Sequence, residues 1–180
     1  MHGQNVCRAG YAALLRANDI FELTDVVRKY WADLNHDLWP VFQDLLHKHY
    51  AEYRDQFIQR GIHYNECASV GLCVIDGEAQ EVITLSGKVD AMVHDNASVI
   101  AKGSADVTLL DESHASASDM SRVSAWHHTS VHATGRSTIR AFDHSSVVAD
   151  GAVTIHLADS ARLTNIRSYR IYGSSTVICN

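Results

Sequence analysis

The chain has 180 residues, of which 46% are hydrophobic and 20% are charged, and its formal net charge is −6 with neutral histidine. This composition is typical of a folded soluble protein and excludes a disordered one, and the acidic balance argues against a general nucleic-acid binder. Arg8, Arg16 and Asp19 interrupt the first residues, so we expect neither a signal peptide nor a membrane span.

The four cysteines indicate a reducing compartment. They have neither the close-paired spacing of a metal site nor the density of a secreted disulfide scaffold. Free or buried thiols are the simplest interpretation of such a pattern. We therefore expect a cytoplasmic protein.

Residues 1–62 are predicted to form a helical domain, or a cap for the rest of the chain. Apolar residues recur at helical spacing after Asp19, which suits an N-cap because Glu22 follows three positions later. A further helix is expected to include Pro40 in its first turn and to stop at Gly61.

Residues 63–86 are predicted to be junction strands. The stretch alternates between apolar and polar residues, as strands with one buried face do. Its "DGE", at positions 76–78, has the composition of a turn. We expect this segment to supply the opening strands of the β-rich second half of the chain.

From about residue 87 the sequence repeats every eight residues. The consensus is [DG]-x-[SAT]-x-[VI]-x-A-x, in nine copies without an insertion. The first position of each copy is held by Asp95, Gly103, Asp111, Asp119, His127, Gly135, Asp143, Gly151 and Asp159. A unit repeated this strictly predicts one strand and one corner per copy, with Asp or Gly at the corner and a β-branched residue in the core.

The small inward residues predict how many octets make one coil. Alanine, serine and threonine leave little interior volume, so two close walls, with sixteen residues per coil, pack better than a triangular coil of twenty-four. The predicted fold is therefore α+β: an N-terminal helical segment, then a single-stranded parallel β-helix (a β-solenoid) over residues 87–180.

Octets such as "DHSSVVAD", "GRSTIRAF" and "DNASVIAK" resemble the A-x-[DG]-x-[SAT]-x-[VI] arrays of small proteins encoded by bacteriophages, prophages and other bacterial mobile elements. Those proteins often place a short helical segment before the array. The resemblance implies a cytoplasmic protein of phage or mobile-element origin that interferes with a host system, such as an inhibitor of host defence (anti-CRISPR-like) that binds a host protein. It carries over no catalytic residues and no cofactor.

Even-numbered positions of the array are expected to face water, and those sixteen apart to stack at about 4.8 Å. One such column forms the aromatic stripe, which consists of Leu110, Trp126, Phe142 and Ala158. Large apolar residues in an outward row indicate a covered surface, and the helical segment, a second copy in a homo-oligomer such as a dimer, or a foreign partner would each cover it. Arg122 and Arg140 flank the stripe, and arginine is enriched at interfaces.

A second column contains Glu112, His128 and His144, whose side-chain types can bind a divalent metal. Parallel side chains at strand spacing must bend toward each other to share a metal, and no supporting partner is evident. We therefore interpret this column as a polar ladder rather than a metal site. His127 is interpreted as a corner residue in a position that Asp or Gly normally holds.

Three functional hypotheses arise from the sequence. The favoured one is a non-enzymatic interaction protein that assembles with itself and binds a bacterial host protein. The second is a ligand-binding or enzymatic solenoid that uses the Glu112 column or the junction histidines, His63 and His94. The third is nucleic-acid contact, through the aromatic pair and the arginines at positions 122, 136, 140 and 162. DNA mimicry is disfavoured, because from residue 65 on the acids outside the corners only equal the bases in number.

Overall fold

The computed structural model describes residues 10, 12–13, 15–30, 39–166 and 169–172. The chain divides into two compact units, Met1–Ile62 and His63–Asn180. Within the described residues, two helices precede a thirteen-stranded sheet. The predicted α+β architecture, with a helical segment before a β-solenoid, is confirmed.

Helix α1 spans Ile20–Lys29 and begins where its cap residue was predicted. The Asp19 carboxylate accepts hydrogen bonds of 2.8 Å from the backbone N–H groups of Phe21 and Glu22. The Glu22 carboxylate in turn accepts from the backbone N–H of Asn18, at 2.8 Å. These bonds satisfy N–H groups that have no partner within the helix, and therefore they define its first turn.

Helix α2 spans Trp39–Gln59, so Pro40 lies in its first turn as predicted. The backbone departs from helical geometry at Tyr53, where φ is −116° and ψ is 26°, and the helix is kinked there. Gly61 follows the helix with φ of 70°, a conformation that glycine adopts without strain. The predicted stop at Gly61 is therefore confirmed.

The strands are β1 (Ile62–Tyr64), β2 (Ala68–Ile75), β3 (Ile83–Val93), β4 (Ser98–Ala101), β5 (Asp106–Leu109), β6 (His114–Ala117), β7 (Arg122–Ala125), β8 (Ser130–Gly135), β9 (Thr138–Ala141), β10 (Ser146–Gly151), β11 (Val153–Leu157), β12 (Arg162–Ile166) and β13 (Tyr169–Tyr172). Even-numbered strands β4 to β12 form the first face of the solenoid, and odd-numbered strands β5 to β13 form the second face. Strand β3 pairs with both β4 and β5, so it contributes to both faces.

Each coil of the array contains sixteen residues. Ser98 pairs in parallel with His114 on the first face, and Asp106 pairs in parallel with Arg122 on the second. The solenoid has about six coils with this repeat. The two-faced coil is therefore confirmed, and the twenty-four-residue coil is excluded.

Residues 68–86 hydrogen-bond into the same sheet. Strand β2 pairs in parallel with β3 over most of its length. The predicted turn at positions 76–78 is present, with a 3.0 Å bond from the Ala79 N–H to the Asp76 carbonyl. The strands on either side of it run parallel, so the turn is a corner of the solenoid and not a hairpin.

The core lies between the two faces and contains the odd-numbered strand residues. Val107, Ile139 and Ile155 are fully buried, as are the inward serines Ser113 and Ser145. Each of these serine hydroxyls donates to the carbonyl oxygen three residues earlier, at 2.7 Å and 2.6 Å. These inward serines thus fill little volume and also satisfy a carbonyl at the corner, whereas the buried hydroxyl of Ser121, at the same position of its octet, has no hydrogen-bond partner among the described residues.

The first residue of each octet forms a corner with positive φ. One row, the aspartate corner, contains Asp95, Asp111, His127, Asp143 and Asp159, with φ between 54° and 60°. The opposite row, the glycine corner, contains Gly87, Gly103, Asp119, Gly135 and Gly151. Asp and Gly tolerate this conformation better than other residues, which explains the [DG] consensus.

Corner side chains also bind the coil before them. The carboxylates of Asp111 and Asp119 accept from the backbone N–H groups of the residues sixteen positions earlier, at 3.3 Å and 2.9 Å. His127 does the same through Nδ1, which accepts from the Asp111 N–H at 3.0 Å. His127 therefore replaces an aspartate as hydrogen-bond acceptor, and its ring proton must lie on Nε2.

The expected exposure of even-numbered residues fails at the start of the array. Met92 and His94 are even-numbered but only 3% and 8% exposed. Corner residues such as Asp95 and Asp111 are odd-numbered but exposed, because a corner turns the side chain away from the core. The odd-in, even-out rule therefore holds for the strands beyond the first coil and not for the corners.

Candidate interaction surface

The aromatic stripe lies beside the aspartate corner, because each of its residues immediately precedes a corner residue. All four members are half-buried. The rings of Trp126 and Phe142 are stacked, with centroids 3.9 Å apart and planes inclined by 12°. Such a pair contributes about 0.5–1.5 kcal/mol beyond its buried area. The structure therefore brings together the two aromatic residues that the sixteen-residue spacing selected.

The two flanking arginines lie on the second face, in the strands that lead to the aromatic residues. Arg122 is in β7 and Arg140 is in β9, and both side chains are exposed. The Arg122 guanidinium lies 3.8 Å from the carboxylate of Asp106, and the two side chains are 71% and 50% exposed. The Arg140 side chain makes no hydrogen bond or ion pair with any described residue. We call these two arginines the arginine flank.

The opposite side of the stripe carries carboxylates and imidazoles. An open depression there is lined by Asp111, Glu112, His127, His128, Asp143 and His144. We call this set the acidic flank, because its three carboxylates are accompanied by no lysine or arginine. The His128 and His144 rings stack with centroids 5.3 Å apart and planes inclined by 12°.

The geometry of the stacked histidines does not suit one metal ion shared by both rings. A metal bound to an imidazole nitrogen lies close to the ring plane, and two nearly parallel planes at this separation do not meet at one ion. Within the described ranges, no group of three or more His, Cys, Asp or Glu side chains has an arrangement that could hold a metal. Glu112, His128 and His144 thus share a row without converging.

The four arginines considered for nucleic-acid contact lie on three different surfaces. Arg122 and Arg140 are on the second face, Arg136 follows the glycine corner, and Arg162 is on the first face in β12. Only the first two are in the strands that precede Trp126 and Phe142. The structure therefore does not assemble them into a single basic patch.

The two junction histidines each lie beside a carboxylate. His63 Nδ1 is 2.9 Å from Glu66 Oε1, and both side chains are largely buried. His94 Nδ1 is 3.4 Å from Asp111 Oδ2. The first distance is that of a hydrogen bond, whereas the second is longer than the usual hydrogen-bond range.

Burial of His94 predicts a loss of stability in mild acid. Burial lowers the pKa of His94 below its ordinary value of 6.5, although the nearby carboxylate of Asp111 acts in the opposite direction. The unfolded chain therefore binds this proton more readily. The stabilisation from neutral His94 is fully present above pH 6.5 and is lost as the pH falls from 6.5 through the lower folded-state pKa.

Urea unfolding at about pH 7.5 and about pH 5.5 tests this dependence. The unfolding free energy of the wild type should fall more between these conditions than that of His94→Gln, which cannot take up the proton. The comparison with His94→Gln removes the contributions of the other histidines. Equal losses in the two proteins would contradict the assignment to His94.

A buried carboxylate network near the first coil was not predicted from the sequence. Asp76 accepts from the Tyr64 hydroxyl at 2.6 Å, from the Asn65 side-chain amide at 2.8 Å and from the Glu78 N–H at 3.0 Å. Burial and the bond to Asp76 raise the pKa of Tyr64 well above its usual range. The donors come from both sides of β2, so only the folded chain brings them together.

Another missed feature is Met120, which lies beside the glycine corner and is 62% exposed. A single exposed apolar side chain is common on protein surfaces and indicates no site.

No helix in the described part of the chain is long and apolar enough to cross a membrane. Comparison with protein-family models, with curated proteins and with solved structures finds no match to this chain.

Proposed function

We propose that this protein acts by binding other proteins and not by catalysis, and that the aromatic stripe with its two flanks is the contact surface. The observation that carries the proposal is the half-buried Trp126–Phe142 stack in an outward column of the solenoid. Aromatic residues and arginine are enriched at the centres of protein interfaces, where they contribute most of the binding energy.

The partners in this proposal are a second copy of the chain and a bacterial host protein, which use the same surface and therefore bind it in alternation. The octet array supports the second partner, because it resembles arrays in small phage, prophage and mobile-element proteins. On this proposal the protein is located in the cytoplasm of the bacterial host and inhibits a host defence system. Neither a nucleic acid nor a cofactor is required for that activity.

Trp126→Glu is expected to abolish binding to the host partner, because it places a charge in the apolar centre of the contact. The measurement is retention of host proteins from a bacterial lysate on immobilised wild-type and variant protein, followed by identification by mass spectrometry and by a binding isotherm with the purified partner. Val148→Glu is the matched control, since Val148 is also outward-facing and half-buried but lies on the first face.

Specific retention by the wild type and by Val148→Glu, and its loss in Trp126→Glu, would support the proposal. The result against it would be a partner that both variants bind as tightly as the wild type, or no partner that the wild type binds with a measurable isotherm. Circular dichroism of each variant confirms that the solenoid is intact.

A further inference from the structure

The two sides of the aromatic stripe differ in charge. On the coils of Trp126 and Phe142, the second face presents Arg122, Ser124, Thr138 and Arg140, and Asp106, on the preceding coil of the same face, lies 3.8 Å from the Arg122 guanidinium. The corner side presents Asp111, Glu112 and Asp143 with three histidines and no lysine or arginine. The stripe therefore separates a cationic border from an anionic border on one surface.

Two of these charges, on the side chains of Glu112 and Arg140, remain available to a partner, because neither side chain makes a hydrogen bond or ion pair with any described residue. Asp111 and Asp143 each use Oδ2 to accept a backbone N–H bond within the corner. Arg122 already has a partner, since its guanidinium lies 3.8 Å from Asp106. Because exposed groups without local partners are not neutralised by neighbours, they can form ion pairs across an interface.

From this asymmetry we infer that the occupant of the stripe is a second copy of the chain, related by a two-fold axis parallel to the axis of the solenoid. This inference rests on the proposed function and specifies its self-assembly. Such a rotation places stripe against stripe and exchanges the two borders. The arginine flank of each copy then faces the acidic flank of the other, in two equivalent contacts.

The direction of the two-fold axis follows from the charges. An axis parallel to the solenoid preserves the level of each coil, so Arg140 faces Asp143 and His144 of the second copy. An axis along the strands would keep each border on its own side and bring arginine flank against arginine flank. Like charges facing each other oppose association, so the chain is self-complementary only in the first arrangement.

The test uses two full-length variants, one that reverses the charge of the arginine flank and one that neutralises the acidic flank. The first is Arg122→Glu with Arg140→Glu, and the second is Glu112→Lys with His144→Lys. All four positions are exposed and have no positive φ, so the fold should tolerate the changes. Size-exclusion chromatography with light scattering, over a range of concentrations, measures the dimer dissociation constant of each protein and of an equimolar mixture.

The wild type should be a dimer. Arg122→Glu with Arg140→Glu should raise its dissociation constant by about tenfold or more, because both of its borders are then acidic. Glu112→Lys with His144→Lys should raise it as well, because the two lysines balance Asp111 and Asp143 and the attraction to the arginine flank is lost. The equimolar mixture should form a heterodimer, since one contact then joins an intact arginine flank to an intact acidic flank and the other no longer joins two acidic borders. High salt should weaken the wild-type dimer. Heterodimer formation by two variants that do not dimerise alone would be difficult to explain by misfolding.

A wild-type monomer, or variants that dimerise as the wild type does, or a mixture that stays monomeric, would overturn the inference. The proposed function is tested separately by the host-partner isotherm of Trp126→Glu. If Trp126→Glu abolishes binding to the host partner while charge reversal leaves a wild-type dimer unchanged, the two-fold arrangement is wrong but the contact surface stands.

Discussion

Ile139→Ala is expected to lower the free energy of unfolding by about 2–5 kcal/mol. Ile139 is fully buried, and its Cα partners on the neighbouring coils are the inward residues Val123 and Ile155. Removing its branched side chain leaves a cavity between two walls that are held by hydrogen bonds and cannot close. Chemical denaturation followed by circular dichroism measures the difference.

The matched control is Thr138→Ala, one residue earlier in the same strand and outward-facing. A surface substitution of this kind changes stability by less than about 0.5 kcal/mol. Ile139→Asp should be more severe than Ile139→Ala, because an unpaired carboxylate would lie in an apolar core. Equal losses in the free energy of unfolding for Thr138→Ala and Ile139→Ala would contradict the alternation of outward and inward residues in β9.

Gly135→Val is expected to destabilise the protein by about 1–3 kcal/mol through backbone strain alone. Gly135 has φ of 67°, which a β-branched residue adopts only with strain. An added Cβ would also lie 3.1 Å from the backbone nitrogen of Asp119 on the preceding coil. That atom belongs to a hydrogen-bonded corner and cannot move away without cost to the neighbouring coil.

Gly135→Asp is the informative comparison at the same position. Asp119 adopts the same positive φ at the same corner and accepts a bond from the Gly103 N–H at 2.9 Å. An aspartate at position 135 can accept from the Asp119 N–H in the same way, so we expect a change within about 1 kcal/mol. Thermal and denaturant unfolding of both variants measure the difference. Equal destabilisation by Val and Asp would show that the corner selects glycine for space alone.

The repeat predicted most of the solenoid because its period is a local property of the chain. An inward β-branched residue every eighth position, with Asp or Gly between strands, specifies a strand and a corner without any knowledge of distant contacts. The choice of sixteen residues per coil required one further argument, the small volume of the inward residues, and the register of Ser98 with His114 confirmed it. The contact of Trp126 with Phe142 followed from the sixteen-residue coil, because these two residues are sixteen positions apart.

Other features depended on contacts that no local pattern encodes. The His127 ring accepts a hydrogen bond from the Asp111 N–H on the preceding coil, and this bond depends on the rotamer of the His127 side chain. The Asp76 network joins donors on both sides of β2. Met92 and His94 occupy positions that the alternation assigned to solvent, yet they are buried. The sequence does not signal these contacts, because each depends on which groups the folded chain places beside them.

The sequence alone therefore determined the helical start, the sixteen-residue coil, the corner residues and, beyond the first coil, the side on which each strand residue points. The sequence is sufficient to predict these properties because they repeat along the chain and each octet adopts the same backbone geometry. The tertiary structure alone decided which corner side chains bind the preceding coil, which first-coil residues are buried, and that the arginines and carboxylates border opposite sides of the stripe. Those outcomes depend on side-chain conformation and on neighbours far apart in the chain, so they have no period to detect.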